Sequence, residues 1–254
     1  MYIIESAALS DIGCKRPTNQ DRCYADTEHG LFVVADGVGS SSDGALAAQM
    51  VIELLPSYLD RHLTPDQRDD PSAHEQLGQA VAELSDDLNT KGQTDDRIAG
   101  AATTVVAVAV VGARALVAHL GDSRVYLCRE GVLHQLTRDH TLVQALVDAG
   151  EVQPEDAHSH PTRNVVTRFV AMRPPAIPDA APVDLEVGDR ILLCSDGLHG
   201  VVDHQTLTEI LDANPDPSRA CAVLIEAARA AGGPDNITAL VINVVDGLGR
   251  PSRA

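Results

Sequence analysis

The sequence predicts one α+β domain, with strands pairing antiparallel and helices packed against them. Three observations carry this. The chain has 254 residues, 44% of them hydrophobic, enough for one sizeable core. Short runs rich in β-branched residues are bounded by Gly, Asp or Asn, as strands are. Longer stretches with a helical repeat of apolar residues fall between them.

In chain order, strand runs occupy 31–35, 103–111, 115–120, 125–128, 191–194 and 237–245. Residues 110–115, centred on Gly112, read as a hairpin turn, and Arg129-Glu130-Gly131-Val132 as a second, so 103–136 is expected to form an antiparallel meander. Helices are expected over 45–63, 75–88, 141–149, 207–211 and 218–230. In the first, Leu46, Met50, Leu54 and Leu55 would share the buried face; the last is Ala-rich and stops at Gly232-Gly233-Pro234. Residues 64–72 read as a surface loop and the proline-rich 174–182 as an irregular connection. Neither separates strands numerous enough for a sheet of their own, so 1–254 is expected to be a single domain.

Net charge is −18, from 37 acidic and 19 basic residues, which argues against binding a nucleic-acid backbone. Aromatics are 2% with no Trp, so base-stacking platforms are missing too. Five cysteines, Cys14, Cys23, Cys128, Cys194 and Cys221, show no CxxC spacing and suit reduced thiols better than structural zinc. Residues 1–10 lack the pattern of a signal peptide, and no apolar run approaches the ~20 residues of a membrane span. The expectation is a cytoplasmic monomer without membrane contact. The acidic stretch 83–96 reads as a solvated helix face and loop.

The informative feature is where aspartates fall. Asp36 ends the run from Leu31, Asp122 follows the run from Leu116, Asp196 follows the run from Ile191, and Asp235 precedes the run from Ile237; Asp21 follows Asn19-Gln20. A strand end is a rigid mount, and a carboxylate at the edge of an apolar core must be paired or bound to a cation. Gly after Asp36 and Asp196 allows a sharp turn and the approach of a main-chain carbonyl. Oxygen-only ligation favours Mg²⁺ or Mn²⁺ over Zn²⁺. Each aspartate alone is an ordinary turn residue; four after strands, with Arg16 and Asp21 upstream, form a pattern.

That pattern resembles a known family. Gly13-x-x-Arg16-x-x-Asn19-Gln20-Asp21, then Asp36-Gly37-Val38-Gly39, Ala101-x-Thr103-Thr104, Gly121-Asp122-Ser123-Arg124, Cys194-Ser195-Asp196-Gly197 and Gly232-Gly233-Pro234-Asp235-Asn236 are similar, in order, to the metal-dependent protein phosphatases of the protein phosphatase 2C group. The resemblance implies a four-layer α-β-β-α sandwich with two central antiparallel sheets and a small flap at about 139–175. It implies Mg²⁺- or Mn²⁺-dependent hydrolysis of phosphoserine and phosphothreonine on proteins, opposing a bacterial Ser/Thr kinase. Seventeen Arg against two Lys fit a GC-rich bacterial genome. Carried over by position, Asp36 bridges two ions, the Gly37 carbonyl binds one, and Asp196 and Asp235 hold the other. Asp21 orients the attacking water, Arg16 clamps the substrate phosphate, and Asp122 holds a third, weaker ion with Asn164 on the flap loop.

Three departures from the family pattern stand out. Gln20 replaces a Glu, the segment 40–44 differs, and Val38 stands where some relatives carry a His. The alternative is therefore a pseudophosphatase that binds phosphoproteins with little turnover. Cys194 and His119 read as packed strand residues, Ser123 and Ser195 as turn or supporting residues, and His158 and His160 as loop residues with a proton-shuttling alternative.

Overall fold

The computed structural model describes residues 2–38, 43–64, 67–68 and 70–247. Two five-stranded antiparallel sheets are stacked. The first runs in the order β1 (Tyr2–Asp11), β12 (Ile237–Asp246), β11 (Arg190–Cys194), β8 (Arg124–Arg129), β9 (Val132–Gln135). The second runs β10 (Asp179–Asp184), β7 (Arg114–Leu120), β6 (Val105–Val111), β3 (Leu31–Ala35), β2 (Arg22–Asp26). A short pair, β4 (Gly37–Val38) with β5 (Ala102–Thr103), continues past β3. Helices α1 (Asp43–His62) and α2 (Ala73–Gly92) cover the second sheet, and α4 (Asp196–His199), α5 (His204–Ala213) and α6 (Pro217–Ala230) cover the first. Helix α3 (Leu142–Asp148) and a 3₁₀ turn at Pro154–Ser159 lie between β9 and β10.

The four layers explain why some strands read as unbroken apolar runs. Alternate side chains of a strand point to opposite faces, and here both faces are covered. In β11, Ile191 and Leu193 enter the layer between the sheets, whereas Leu192 and Cys194 meet the outer helices. In β3, Phe32 and Val34 point inward while Leu31, Val33 and Ala35 meet α1 and α2. Leu193 is fully buried between the sheets. Leu193→Ala should cost about 3 kcal/mol and lower Tm by roughly 5–10 °C for a chain of this size, measured by scanning calorimetry.

Both hairpin turns form as expected, Val111 pairing with Arg114 and Arg129 with Val132. The meander does not stay in one sheet. Strands β6 and β7 belong to the second sheet and β8 and β9 to the first, and residues 121–123 carry the chain across. The sequence pattern cannot show this, because a tight turn and a crossing between layers use the same short polar link.

Helix α1 also differs. Its buried face is Ala48, Val51, Leu55, Tyr58 and Leu59, while Leu46 is 36% exposed. Small and β-branched residues let the helix lie close on the sheet, so Leu46 and Met50 fall to its flank. Part of the proline-rich connection is strand after all: β10 is an edge strand, where Pro182 is tolerated. The acidic stretch 83–96 is more than a solvated face. Asp87 accepts the Tyr58 hydroxyl at 2.6 Å, Asp86 accepts the Ala176 N–H at 3.0 Å, and Glu83 pairs with His62.

Candidate metal centre

Antiparallel register gathers the aspartates at one end of the sandwich. Arg22 pairs with Ala35, so Asp21 and Asp36, one residue beyond each, are neighbours. Cys194 pairs with both Ala239 and Arg124, which places Asp196, Asp235 and Asp122 just past the same edge of the first sheet. Val105 pairs with Leu120, bringing Thr104 beside the crossing that carries Asp122. Asp11 pairs with Ile237, and this delivers the loop with Arg16 to Asp235.

Side chains and backbone lock these ends together. The Thr104 N–H and the Thr103 hydroxyl both donate to the Asp36 carbonyl at 2.8 Å, and Thr104 Oγ1 lies 2.7 Å from Ser123 Oγ. Asn236 spans three segments: its amide donates to the Ile12 and Thr18 carbonyls at 3.0 Å, and its Oδ1 accepts the Gln20 N–H at 2.8 Å. A Cβ at Gly197 would lie 1.9 Å from the Asn236 carbonyl oxygen. Only glycine permits that approach, and it sets the Asp196 and Asp235 segments in contact.

The electrostatics are those of crowded carboxylates. Burial, then the charges of Asp21, Asp196 and Asp122, pushes Asp36 well above the usual carboxylate range. Asp196 is pushed up to about 7 by burial and by Asp122, Asp235 and Asp21. Asp122 is pushed up to about 6 by burial and by Asp139. Asp21 is 1% exposed; its Oδ2 accepts the Ser195 hydroxyl at 2.7 Å and lies 2.7 Å from Thr238 Oγ1, yet burial still raises it. Its other oxygen, Oδ1, is buried and accepts no N–H or hydroxyl among the described residues, and the Asp36 carboxyl adjoins Asp21. Arg16 lies at the rim with its guanidinium 2.5 Å from Asp235, a carboxylate partner that raises its pKa further.

A buried carboxylate oxygen that accepts no N–H or hydroxyl, among acids held above their ordinary range, is an unfinished charge balance. Divalent cations would complete it, and the oxygen-only donors suit Mg²⁺ or Mn²⁺. Asp21, Asp36, Asp122, Asp196, Asp235 and Arg16 thus come together. Asn164 is exposed, between the 3₁₀ turn and β10, and makes no side-chain hydrogen bond among the described residues. Segment 40–44 lies, apart from the backbone of Asp43 and Gly44, outside the described residues.

Ser195 is a support to Asp21, and Cys194 is a fully buried strand residue whose thiol burial pushes up to about 12. His119 is a packed strand residue, stacked on His140 at 4.4 Å between ring centroids. Two further residues surround Asp122. Arg124 grips Asp139 with two bonds of 2.8 and 2.7 Å, which fixes the acid that perturbs Asp122. His199, held neutral by burial at about 3, lies with Nε2 2.9 Å from the Asp122 carbonyl oxygen. Arg124 closes the Gly121-Asp122-Ser123-Arg124 motif, but spacing gives no sign of its grip on Asp139, and His199 stands in no such motif.

Comparison with known proteins gives the family and the fold. A family model described as Protein phosphatase 2C matches residues 15–226. The serine/threonine protein phosphatase PstP of Mycobacterium tuberculosis is 38% identical over 96% of this chain, and the chain spans 46% of that protein, about half its length. Protein phosphatase PhpP of Streptococcus pneumoniae is 33% identical, with 95% of this chain and 98% of PhpP covered. The crystal structure of the PstP catalytic domain in complex with two manganese ions superposes with a TM-score of 0.82 at 35% identity, covering 97% of this chain and all of that one.

Proposed function

The chain belongs to the protein phosphatase 2C family, and from that premise we propose that it removes phosphate from phosphoserine and phosphothreonine on other proteins. The observation that carries the proposal is the convergence of Asp36, Asp196 and Asp235 beside buried Asp21, at strand ends that the register fixes. Asp36 would bridge two ions, with the Gly37 carbonyl on one and Asp196 and Asp235 on the other. Mn²⁺ and Mg²⁺ both suit these ligands, and Asp122 would hold a third, weaker ion. Asn164 enters that third set through the family resemblance alone.

Two such ions, when bound, lower the pKa of a shared water and offset charge on the phosphoryl oxygens. The chain's own residues do the rest. Asp21, fixed by Ser195 and Thr238, offers its buried Oδ1 as an acceptor that orients the attacking water. Arg16, 46% exposed at the rim, presents a planar donor fork to the substrate phosphate once Asp235 turns to a cation. Asp196 and Asp36 must lose their protons to take up ions. A charge of −18 repels a phosphoprotein at long range, but salt screens that field beyond about 8 Å.

An opposing Ser/Thr kinase, a monomeric state and a cytoplasmic location complete the proposal; no described helix is long and apolar enough to cross a membrane. The test is phosphate release from a phosphothreonine peptide with MnCl₂ and with EDTA. Release should require the metal. Binding of the peptide with no release in Mn²⁺ would instead establish the binding-only reading that Gln20 suggests. Arg16→Ala should raise KM about 10- to 100-fold, the loss of a charged hydrogen bond to phosphate, with a smaller change in kcat.

A further inference from the structure

His119, His140 and Asp179 place three ligand-type atoms within 4.8 Å of one another, a set whose composition suits zinc. Their hydrogen bonds assign them other work. The Gly121 N–H donates to His140 Nδ1 at 3.2 Å, so the imidazole proton sits on Nε2 and is donated to Asp179 Oδ2 at 3.1 Å. Zinc on Nε2 would force a proton onto Nδ1, against the Gly121 N–H. Asp179 is also taken by Arg168, whose Nη1 and Nη2 reach it at 2.8 and 3.2 Å. His119 Nε2 lies 2.8 Å from the Arg138 carbonyl oxygen. The group is a hydrogen-bonded clamp.

What it grips is the residue before Asp122. The His140 N–H donates to the Gly121 carbonyl at 2.9 Å, so Gly121 exchanges both of its backbone groups with one histidine. Gly121 adopts φ +114 and has no side chain with which to anchor itself, and a Cβ there would lie 2.5 Å from that of Thr104. The His140 carbonyl in turn accepts the Thr167 N–H at 2.7 Å and its hydroxyl at 3.0 Å, between the 3₁₀ turn and β10.

We propose that His140 is a positioning residue that sets Asp122 for its ion, with Asp179 and Arg168 fixing the imidazole tautomer that makes this possible. The inference rests on the reading of Asp122 as an ion ligand. Groups behind metal ligands typically matter by 10- to 100-fold in affinity.

Isothermal titration of the metal-free protein with MnCl₂ tests it, with the fold of each variant checked by circular dichroism. His140→Gln keeps a donor toward Asp179 but removes the acceptor for Gly121; His140→Asn keeps an acceptor at the Nδ1 position. The weakest Mn²⁺ event should lose about 10-fold in affinity in His140→Gln and stay near the parent value in His140→Asn, the tighter events being unchanged in both. In an Asp122→Ala background, His140→Gln should change nothing further. Asp179→Ala, at a more exposed position, should weaken the same event, and it serves if His140→Gln does not fold. An unaltered weak event in folded His140→Gln or Asp179→Ala, or equal weakening of every event, overturns the clamp. A weak event that survives Asp122→Ala overturns the assignment of Asp122 instead.

Discussion

Asp36→Asn should lower Mn²⁺-dependent phosphate release by at least about 1,000-fold, on the scale of removing a group that organises charge at the reacting centre. It should also leave a folded protein whose metal-free form is more heat-stable than the parent. The two effects share one cause. Asp36 sits among Asp21, Asp196 and Asp122, and burial and their charges oppose its ionisation. A neutral amide removes that repulsion while removing the charge that two ions would share. Phosphate release and calorimetric Tm in EDTA at pH 8 check the two halves. Retained turnover would sink the bridging role, and a falling Tm would show that the repulsion had been misjudged.

The second large effect concerns pH. Asp196 at about 7 and Asp122 at about 6 stand above the ~3.9 of an unfolded aspartate. In the metal-free fold their contribution to stability is therefore full below about 4 and is lost as pH rises through 6 to 7. Two buried histidines act the other way. His140 at about 4 and His199 at about 3 are held neutral by burial and withdraw stability as pH falls below ~6.5.

The difference between Mn²⁺-loaded and metal-free protein removes the histidine contributions and isolates the carboxylates. Ions need those groups ionised, so Mn²⁺ should raise Tm strongly at pH 8 and little at pH 5. Displacing one to two protons, its affinity should fall about 10- to 100-fold per pH unit below 7. Titration at several pH values, in buffers of differing ionisation enthalpy, counts the protons released. A pH-independent Mn²⁺ affinity would contradict the perturbed carboxylates.

Legibility in the sequence followed burial. Strands covered on both faces, such as β3 and β11, announce themselves as apolar runs. Strands β1, β2 and β10 lie at sheet edges with much of their surface half-buried or exposed; their polar content hides them. The aspartates proposed as ligands are visible because each stands beside such a run. Of their supports, Ser195 reads as one in the sequence, but not the carboxylate that it or the others hold. Ser195 and Thr238 on Asp21, Arg124 on Asp139 and His140 on Gly121 bridge segments far apart in the chain, and no local repeat records a contact that tertiary register creates. Arg16 is proposed as the phosphate clamp from the family motif, but its pairing with Asp235 is not legible in the sequence.

Because Asp21 and Asp36 hang from one sheet while Asp196 and Asp235 hang from the other, these acids meet across the seam between the two layers. Apolar stacking across that seam is non-directional and resists sliding only weakly. A cation shared by carboxylates from both sides would instead fix the phase of one layer against the other, acting as a rivet through the sandwich as well as a reagent.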